Sequence, residues 1–217
     1  MKKTCFIFDL DGVLVDTAKF HFIAWQNLAK SLDINFTEKQ NEELKGVSRI
    51  KSLEKILAWG NKTINEETFQ YLMKQKNEEY LGCVKKMTQE DLLPGVLPVL
   101  NYLRKNNQTL ALGSASKNAK TILQKTAITS YFQAIVDGNS VTKAKPDPEV
   151  FLKAAQLLNC PTNKCVVFED SVAGIQAANT AGMYSIGIGN DKILKEANFI
   201  FPSFHQIKIP FIQSLMD

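Results

Sequence analysis

The stretch Cys5-Phe6-Ile7-Phe8-Asp9-Leu10-Asp11-Gly12 is an apolar run that ends in two carboxylates. Both faces of the run are apolar, as in a strand inside a parallel sheet. The i, i+2 spacing of Asp9 and Asp11 directs both carboxylates to one side if the chain stays extended. Two like charges this close destabilise each other unless a cation or a shared proton relieves them. The stretch therefore predicts an active-site strand, although Asp11-Gly12 also fits a hairpin turn.

A second strand is predicted at residues 109–113, followed by the polar turn Ser114-Ala115-Ser116-Lys117-Asn118 and a helical segment at 119–125. Backbone N–H groups and hydroxyls at such a turn form an anion site. Ordinary capping of the helix by Ser116 or Asn118 is the alternative interpretation.

A third apolar run, residues 165–168, ends in Glu169-Asp170-Ser171 and is followed by a helical segment at 172–181. An acidic pair again follows a buried strand. Upstream of it, Lys143-Ala144-Lys145-Pro146-Asp147-Pro148 opens another helix, with proline and acidic residues in its first turn. Lys145 is either part of the site or a solvated surface lysine.

These patterns predict an α/β fold with a doubly wound, mostly parallel sheet of the Rossmann-like type. In such a sheet the carboxyl ends of the strands open onto one crevice. The polar residues expected to meet there are Asp9, Asp11, Ser114, Lys145, Glu169 and Asp170.

The segment 17–91 lacks the strand–turn–helix alternation and predicts helices broken near 32–35 and 60–62. Its apolar residues recur at helical spacing, which is typical of a bundle core; they include Leu53, Ile56, Leu57, Phe69, Leu72 and Met73. We expect a helical cap domain at 17–91, inserted into a core domain formed by 1–16 and 92–217. Thr17 and the stretch 92–95 are the expected hinges, and closure of the cap would exclude water.

Composition limits the possible partners. A chain of 217 residues with 45% apolar content can bury one sizeable α/β core and a small accessory domain. The net charge of +4 is not gathered into dense Lys/Arg blocks, so we expect neither a nucleic-acid nor a membrane partner. The N-terminal apolar run is short and carries carboxylates, so the expected location is the cytoplasm. Nothing in the pattern requires a partner subunit, and we expect a monomer.

The four cysteines, Cys5, Cys83, Cys160 and Cys165, lack metal-ligand spacing. Two of them lie in predicted core strands. We expect all four to be reduced thiols without a chemical role.

The ordered set of motifs resembles the haloacid dehalogenase-like superfamily of phosphatases and phosphomutases. Asp9-Leu10-Asp11-Gly12-Val13 matches its nucleophile motif, Ser114 its second motif, Lys145 its third and Glu169-Asp170 its fourth. The resemblance covers nearly the whole chain. Within the superfamily, the stretches 21–25, 44–49 and 74–77 of the cap resemble the phosphomutases that act on β-hexose phosphates.

The residue chemistry agrees with phosphoryl transfer. Asp9 is the expected nucleophile, which would form an aspartyl phosphate. A hard oxygen site favours Mg²⁺, with Asp9 and Asp170 as carboxylate ligands. The resemblance adds the main-chain carbonyl of Asp11 and leaves Glu169 as a direct or an indirect ligand. Asp11, two residues after the nucleophile, is the expected proton donor and acceptor.

Other predicted residues bind phosphate groups. Lys145 and Ser114, with the N–H groups of Leu10, Asp11 and Ala115, are expected to hold the transferring group. The planar guanidinium of Arg49 suits a second, distal phosphate. Ser116, Lys117 and Asn118 are expected to complete that distal site.

The cap supplies the remaining candidates. The loop Gly46-Val47-Ser48 allows close approach of a sugar, although Ser48 fits a helix start equally well. His21 and Trp25 share a helix face. The resemblance implies that His21 contacts Asp11 on closure and gates it, while Trp25 is either structural or a wall of the sugar site. Substrate roles are also expected for Thr17, Ser52 and Lys76, where Lys76 is assigned by resemblance and is otherwise a solvated lysine.

The resemblance implies interconversion of β-D-glucose 1-phosphate and β-D-glucose 6-phosphate, small-molecule hexose phosphates, through β-glucose 1,6-bisphosphate. Three alternatives stay open. A sugar-phosphate phosphatase would use the same core with water as acceptor, and a phosphonate hydrolase would need a cap lysine as nucleophile. A non-enzymatic phosphosugar-binding module would leave the pairing of Asp9 with Asp11 without a purpose.

Overall fold

The computed structural model describes residues 4–44 and 47–216. Its strands are β1 (Cys5–Phe8), β2 (Thr109–Gly113), β3 (Ala134–Val136), β4 (Cys165–Glu169), β5 (Tyr184–Ile188) and β6 (Phe199–Phe201). They form one sheet in the order β3-β2-β1-β4-β5-β6. Strand β1 lies between β2 and β4, and all strand pairs of the sheet are parallel.

The helices of the described ranges surround this sheet or form a separate bundle. In chain order they are α1 (Ala18–Ser31), α2 (Glu38–Glu42), α3 (Arg49–Trp59), α4 (Glu66–Val84), α5 (Val96–Lys105), α6 (Ala119–Lys125), α7 (Glu149–Leu157), α8 (Val172–Thr180) and α9 (Ile209–Ser214). None of them is long and apolar enough to cross a bilayer.

The predicted fold class is confirmed. Strands β1, β2 and β4 lie where the sequence placed them, as do helices α6 and α8. The strand order reverses between β1 and β4, which is where the crevice of a doubly wound sheet opens. The hairpin alternative for Asp11-Gly12 is wrong because β1 has parallel neighbours on both sides. Gly12 instead turns the chain at φ +76° and donates from its N–H to the carbonyl of Val15.

Both faces of β1 are buried, as its uninterrupted apolar sequence predicts. Cys5 and Ile7 belong to a core cluster with residues of α7 and α8. On the other face Phe8 stacks on Phe168 at 4.7 Å between ring centroids and contacts Phe204 at 6.3 Å. Burying each such aromatic side chain contributes about 1.5–3 kcal/mol to the free energy of unfolding. Core packing therefore fixes the position of β1, which ends one residue before Asp9.

The chain divides into two compact units. Residues up to Asp16 and from Thr88 form the α/β unit, and Thr17–Met87 form the helical unit. The second boundary predicted from the sequence is 91/92. Thr88 begins the α/β unit because it caps the short 3-10 turn Gln89–Asp91. The chain then runs beside the segment that follows β1, where the N–H of Leu93 donates to the carbonyl of Leu14.

The helical unit has its own apolar core. The residues predicted for it are buried or packed against it: Leu53, Ile56, Leu57 and Leu72 are buried, and Phe69 and Met73 are partly buried. Ser48 accepts a hydrogen bond from the N–H of Lys51 at the start of α3. The helix-start interpretation of Ser48 is therefore correct.

One cysteine prediction is wrong. Cys5 in β1 forms a disulfide with Cys160, which follows α7, across a sequence separation of 155. Their Cα atoms lie 6.5 Å apart, within the range that a disulfide bridges. Packing of α7 against the sheet creates this proximity, which residue spacing alone does not reveal. Cys83 and Cys165 are free thiols.

Candidate active site

Asp9, Lys145 and Glu169 meet at the carboxyl end of the sheet. Phe8 is in register with Phe168, so Asp9 and Glu169 follow directly at neighbouring strand ends. Lys145 Nζ donates to Asp9 Oδ1 at 2.7 Å and to Glu169 Oε1 at 2.6 Å. The exposed fractions of the three side chains are 8% for Lys145, 9% for Asp9 and 1% for Glu169. Lys145 is therefore a buried site residue, and the solvated alternative is wrong.

Burial and charge shift the ionisation of this group. Burial raises the pKa of Asp9 to about 7, with Glu169 and Asp11 adding to the rise and Lys145 opposing it. Burial alone would lower the pKa of Lys145, but the adjacent Asp9 and Glu169 carboxylates outweigh it and raise that pKa. A buried carboxylate whose pKa is raised needs a further positive charge nearby to stay deprotonated at neutral pH.

Asp170 completes a set of donors suited to a hard cation. One carboxylate oxygen from each of Asp9, Glu169 and Asp170 lies within 4.8 Å of the other two. An all-oxygen donor set of this kind fits Mg²⁺. Both oxygens of Glu169 accept hydrogen bonds, one from Lys145 and the other from the Ser171 N–H at 2.6 Å. Both oxygens of Glu169 therefore already accept hydrogen bonds from other groups of the protein.

Two glycines allow these carboxylates to reach their positions. A Cβ on Gly12 would overlap the Asp170 carboxylate, and a Cβ on Gly174 would overlap the Glu169 carboxylate. Gly174, in the first turn of α8, also donates from its N–H to the hydroxyl of Ser171. The first turn of α8 thus packs directly on an acidic side chain of the site.

Hydrogen bonds from backbone N–H groups to serine hydroxyls shape the turn after β2. Ser114 is 1% exposed, and its hydroxyl accepts from the N–H of Ser116 at 3.1 Å. The hydroxyl of Ser116 accepts in turn from the N–H of Asn118. Asn118 stands before α6 but makes no side-chain capping bond, so the capping alternative does not account for it. Lys117 and Ala115 are exposed.

The helical unit gathers three side chains around Lys76, which is 2% exposed. Its Nζ lies 2.7 Å from His21 Nδ1, 4.6 Å from the Trp25 ring centroid and 5.0 Å from that of Tyr80. The prediction that His21 and Trp25 share a face is confirmed, and the interpretation of Lys76 as a solvated lysine is wrong. Burial, together with the charges of Lys76 and Arg49, holds the pKa of His21 well below its usual range. His21 is therefore a neutral imidazole.

The other predicted cap residues have simpler surroundings. Thr17 is fully buried at the start of α1. The hydroxyl of Ser52 donates to the carbonyl of Ser48 within α3. Val47 is half-buried and donates from its N–H to the carbonyl of Leu44. Gly46 lies outside the described residues.

Three residues that contact these groups were missed from the sequence. Tyr80 stacks on His21 at 4.2 Å between centroids, and its i, i+4 spacing from Lys76 was a usable signal. Asn139 donates to the carbonyl of Lys117 at 2.9 Å. Glu149 binds the loop that carries Lys145. The last two contacts join loops that are distant in sequence, so no local pattern reveals them.

Known proteins resemble this chain over most of its length. Residues 6–188 match the haloacid dehalogenase-like hydrolase family. The sequence is 45% identical to the β-phosphoglucomutase of Bacillus subtilis over 197 residues, which cover 89% of this chain and 87% of that protein. It is 31% identical to a phosphorylated carbohydrates phosphatase of Thermotoga maritima over 201 residues, covering 89% and 91%. The crystal structure of a β-phosphoglucomutase from Clostridium difficile matches with a TM-score of 0.91 at 41% identity, covering 99% of this chain and 97% of that one. The chain therefore belongs to the haloacid dehalogenase-like hydrolase family.

Proposed function

We propose that this protein is a β-phosphoglucomutase that interconverts β-D-glucose 1-phosphate and β-D-glucose 6-phosphate. The observation that carries the proposal is the 45% identity to the Bacillus subtilis enzyme of that name, which extends over 89% of the chain. The buried Asp9–Lys145–Glu169 group supports it, because a positioned carboxylate beside a fixed cation is suited to phosphoryl transfer.

The proposed reaction uses Asp9 as nucleophile. A carboxylate oxygen of Asp9 forms a bond to phosphorus while the bond from phosphorus to the sugar oxygen breaks, which leaves an aspartyl phosphate. Asp11 gives its proton to the departing sugar oxygen. In the second half, Asp11 takes a proton from the attacking sugar hydroxyl, and that oxygen displaces Asp9 from phosphorus.

The α/β unit also supplies the groups that hold the transferring phosphoryl. Lys145 places its ammonium 2.7 Å from the nucleophilic carboxylate, where it can bind a phosphoryl oxygen and balance developing charge. Ser114 and the N–H groups of Leu10, Asp11 and Ala115 are assigned to the remaining oxygens. Lys145 is already held beside Asp9, so its ammonium would need little reorganisation.

Asp9 and Asp170 are the carboxylates assigned to Mg²⁺, with the main-chain carbonyl of Asp11 as a further ligand. When bound, Mg²⁺ neutralises charge on the transferring group and favours the ionised form of Asp9. Glu169 is assigned an indirect role, because its two oxygens hold Lys145 and the Ser171 N–H.

Residues of the helical unit and of the loop after β2 are proposed to bind the rest of the sugar phosphate. Arg49, with Ser116, Lys117 and Asn118, is assigned to the phosphate that is not being transferred. Lys76 and Trp25 are assigned to the sugar, and neutral His21 to the gating of Asp11, with Thr17, Gly46, Val47 and Ser52 as lesser contacts. The intermediate β-glucose 1,6-bisphosphate would present each of its phosphates to Asp9 in turn. All proposed groups come from one chain.

A sugar-phosphate phosphatase is the second candidate, because the Thermotoga maritima relative carries that name. The test follows glucose 6-phosphate and inorganic phosphate together, starting from β-glucose 1-phosphate with Mg²⁺ and a trace of bisphosphate. Glucose 6-phosphate with little free phosphate is the expected result. Phosphate released in step with substrate loss would make the protein a phosphatase.

The role of Asp11 has its own test. Asp11→Asn removes the proton carrier but keeps the main-chain carbonyl that is assigned to the metal. We expect Mg²⁺ binding to persist while mutase turnover falls on the order of 10²–10⁴-fold, the usual contribution of general acid–base catalysis. An unchanged turnover would remove Asp11 from proton transfer.

A further inference from the structure

Glu149, the first residue of α7, binds the loop that precedes it. Its Oε2 accepts hydrogen bonds from the N–H of Thr142 at 3.0 Å, from the hydroxyl of Thr142 at 3.0 Å and from the N–H of Lys143 at 2.7 Å. One carboxylate oxygen therefore fixes the backbone of two successive residues. Lys145 follows two residues later.

The other oxygen of Glu149 is also engaged. Lys153 Nζ, one turn further along α7, lies 2.6 Å from Glu149 Oε1 and donates to the carbonyl of Ser140 at 2.8 Å. The Glu149 side chain is 18% exposed. The hydrogen bond from Lys153 and those from the loop lower the pKa of Glu149 to about 2, so the carboxylate stays ionised at neutral pH.

Glu149 is attached to a rigid element. The next two residues, Val150 and Phe151, are buried in the sheet-facing core at 2% and 0% exposure. Phe151 also faces the site, since its ring centroid lies 4.7 Å from Lys145 Nζ. The loop itself has little packing to hold it, because Thr142, Lys143 and Ala144 are exposed. Its conformation thus depends on hydrogen bonds, and Glu149 receives three of them.

We infer that Glu149 is a positioning residue, which holds the loop 142–145 against α7 so that Lys145 reaches both Asp9 and Glu169. This inference deepens the proposed function and rests on it for its kinetic readout. Because a lysine side chain has many rotamers, its ammonium has a defined position only when its backbone is fixed as well. A shift of about 1 Å in such a group can reduce a rate on the order of 100-fold.

The test compares four substitutions. Glu149→Ala removes every bond to the loop. Glu149→Gln keeps a carbonyl oxygen that can accept from Thr142 and Lys143, while Glu149→Asp keeps the charge but is one methylene shorter. Lys153→Met removes the ion pair and leaves Glu149 in place. Asp191→Asn, at an exposed position of the α/β unit, controls for the loss of one negative charge.

The length and the charge of the Glu149 side chain predict opposite orders for these variants. If length matters, Glu149→Asp is the less active variant; if charge matters, Glu149→Gln is the less active one. A positioning role predicts that Glu149→Ala and Glu149→Asp lower kcat on the order of 10- to 100-fold with little change in KM. Glu149→Gln and Lys153→Met should stay within about threefold of Asp191→Asn, since a partly exposed ion pair contributes little. Losses of equal size in all Glu149 variants and Lys153→Met, or a kcat of Glu149→Ala equal to that of the control, would overturn the inference. If Glu149→Ala fails to fold, the order of kcat between Glu149→Gln and Glu149→Asp still tests the inference.

A second readout does not depend on turnover. Amide hydrogen exchange at Thr142 and Lys143 should accelerate by about tenfold or more in Glu149→Ala and stay slow in Glu149→Gln, because the amide oxygen still accepts. Slow exchange in Glu149→Ala would show that Glu149 does not hold the loop and would overturn the inference.

The donor acetyl phosphate separates this inference from the proposed function. A wild-type protein that is phosphorylated by acetyl phosphate but inactive on β-glucose 1-phosphate overturns the mutase proposal alone, and the Glu149 comparison is then made on the phosphorylation rate. A protein that accepts a phosphoryl group from neither donor overturns the proposed function, and amide exchange at Thr142 and Lys143 then decides the Glu149 inference.

Discussion

Lys145 donates a hydrogen bond to Asp9 over 2.7 Å, although 136 residues separate the two in sequence. The parallel sheet makes this contact possible, because β1 and β4 end side by side and the loop before α7 returns to the same edge. The same ammonium also binds Glu169. One buried cation therefore holds two buried carboxylates.

Removing this cation should destabilise the protein. Lys145→Met leaves Asp9 and Glu169 buried without their partner, and breaking a buried ion pair typically costs about 3–5 kcal/mol in the free energy of unfolding. Lys143→Met is the matched control, because Lys143 is 71% exposed in its pair with Asp147 and should cost about 1 kcal/mol or less. Urea unfolding without divalent cations measures both. Equal stability of the two variants would contradict the structural role given to Lys145.

Gly174 should be required for the acidic group. A Cβ in Gly174→Ala would overlap the Glu169 carboxylate, so Glu169 must move and its bond to Lys145 must lengthen. We expect Mg²⁺ affinity, measured by calorimetry, to fall by about tenfold or more, the usual effect of disturbing groups that orient metal ligands.

Gly82→Ala provides the control for Gly174→Ala. Apart from its chain neighbours and the backbone of its own helix, no atom of the described residues lies within 4 Å of a Cβ at Gly82, which is in α4. This change should leave Mg²⁺ affinity unaltered and stabilise the helix by about 0.5–1 kcal/mol, since alanine favours helix over glycine. A normal Mg²⁺ affinity in Gly174→Ala would show that the Glu169 carboxylate does not need its present position.

The contribution of His21 to the free energy of unfolding should fall as the pH is lowered. Its pKa in the folded protein is well below the value near 6.5 of an unfolded chain, so only the unfolded state takes up this proton as the pH falls below that value. The stabilising contribution is complete above about pH 6.5 and is lost at up to about 1.4 kcal/mol per pH unit below it. Asp9, whose pKa is raised to about 7, takes up a proton in the folded state over the same range and opposes this loss. Urea unfolding between about pH 5 and pH 7.5 should therefore show the His21 contribution as the difference between the wild type and His21→Gln.

Two variants isolate the histidine. His21→Gln should flatten this part of the pH dependence. Lys76→Met should reduce it, because Lys76 is one of the charges that lower the His21 pKa. A wild-type slope in His21→Gln would mean that other groups produce the loss.

The sequence predicts the strand ends of the site better than the contacts between loops. An apolar run that ends in Asp9 and another that ends in Glu169 are local patterns, and the topology of a parallel sheet then places both at one edge. The bonds from Glu149 to Thr142 and from Asn139 to Lys117 join loops whose approach depends on how α7 and β3 pack. The Cys5–Cys160 disulfide was missed for the same reason.

Burial of charged residues is equally hard to predict from a local pattern. Lys76 and Lys145 lie in polar surroundings in the sequence, where most lysines are solvated. The structure buries Lys76 among His21, Trp25 and Tyr80, and it buries Lys145 between two carboxylates. Only the packing of distant elements distinguishes these two from the exposed Lys143.

Arg49 offers the sharpest test of the proposed mutase reaction. A distal phosphate is present in hexose bisphosphate but absent from acetyl phosphate, so a residue that binds it matters for only one of the two donors. Arg49→Met should lower mutase turnover on the order of 10²-fold while leaving phosphorylation by acetyl phosphate within about threefold of wild type. Arg49→Lys should recover part of the loss, since a point charge cannot replace bidentate binding. Lys51→Met, two residues along α3 and exposed, controls for charge. Equal losses with both donors would assign Arg49 to the stability of the helical unit, and the phosphatase would then become the better supported function.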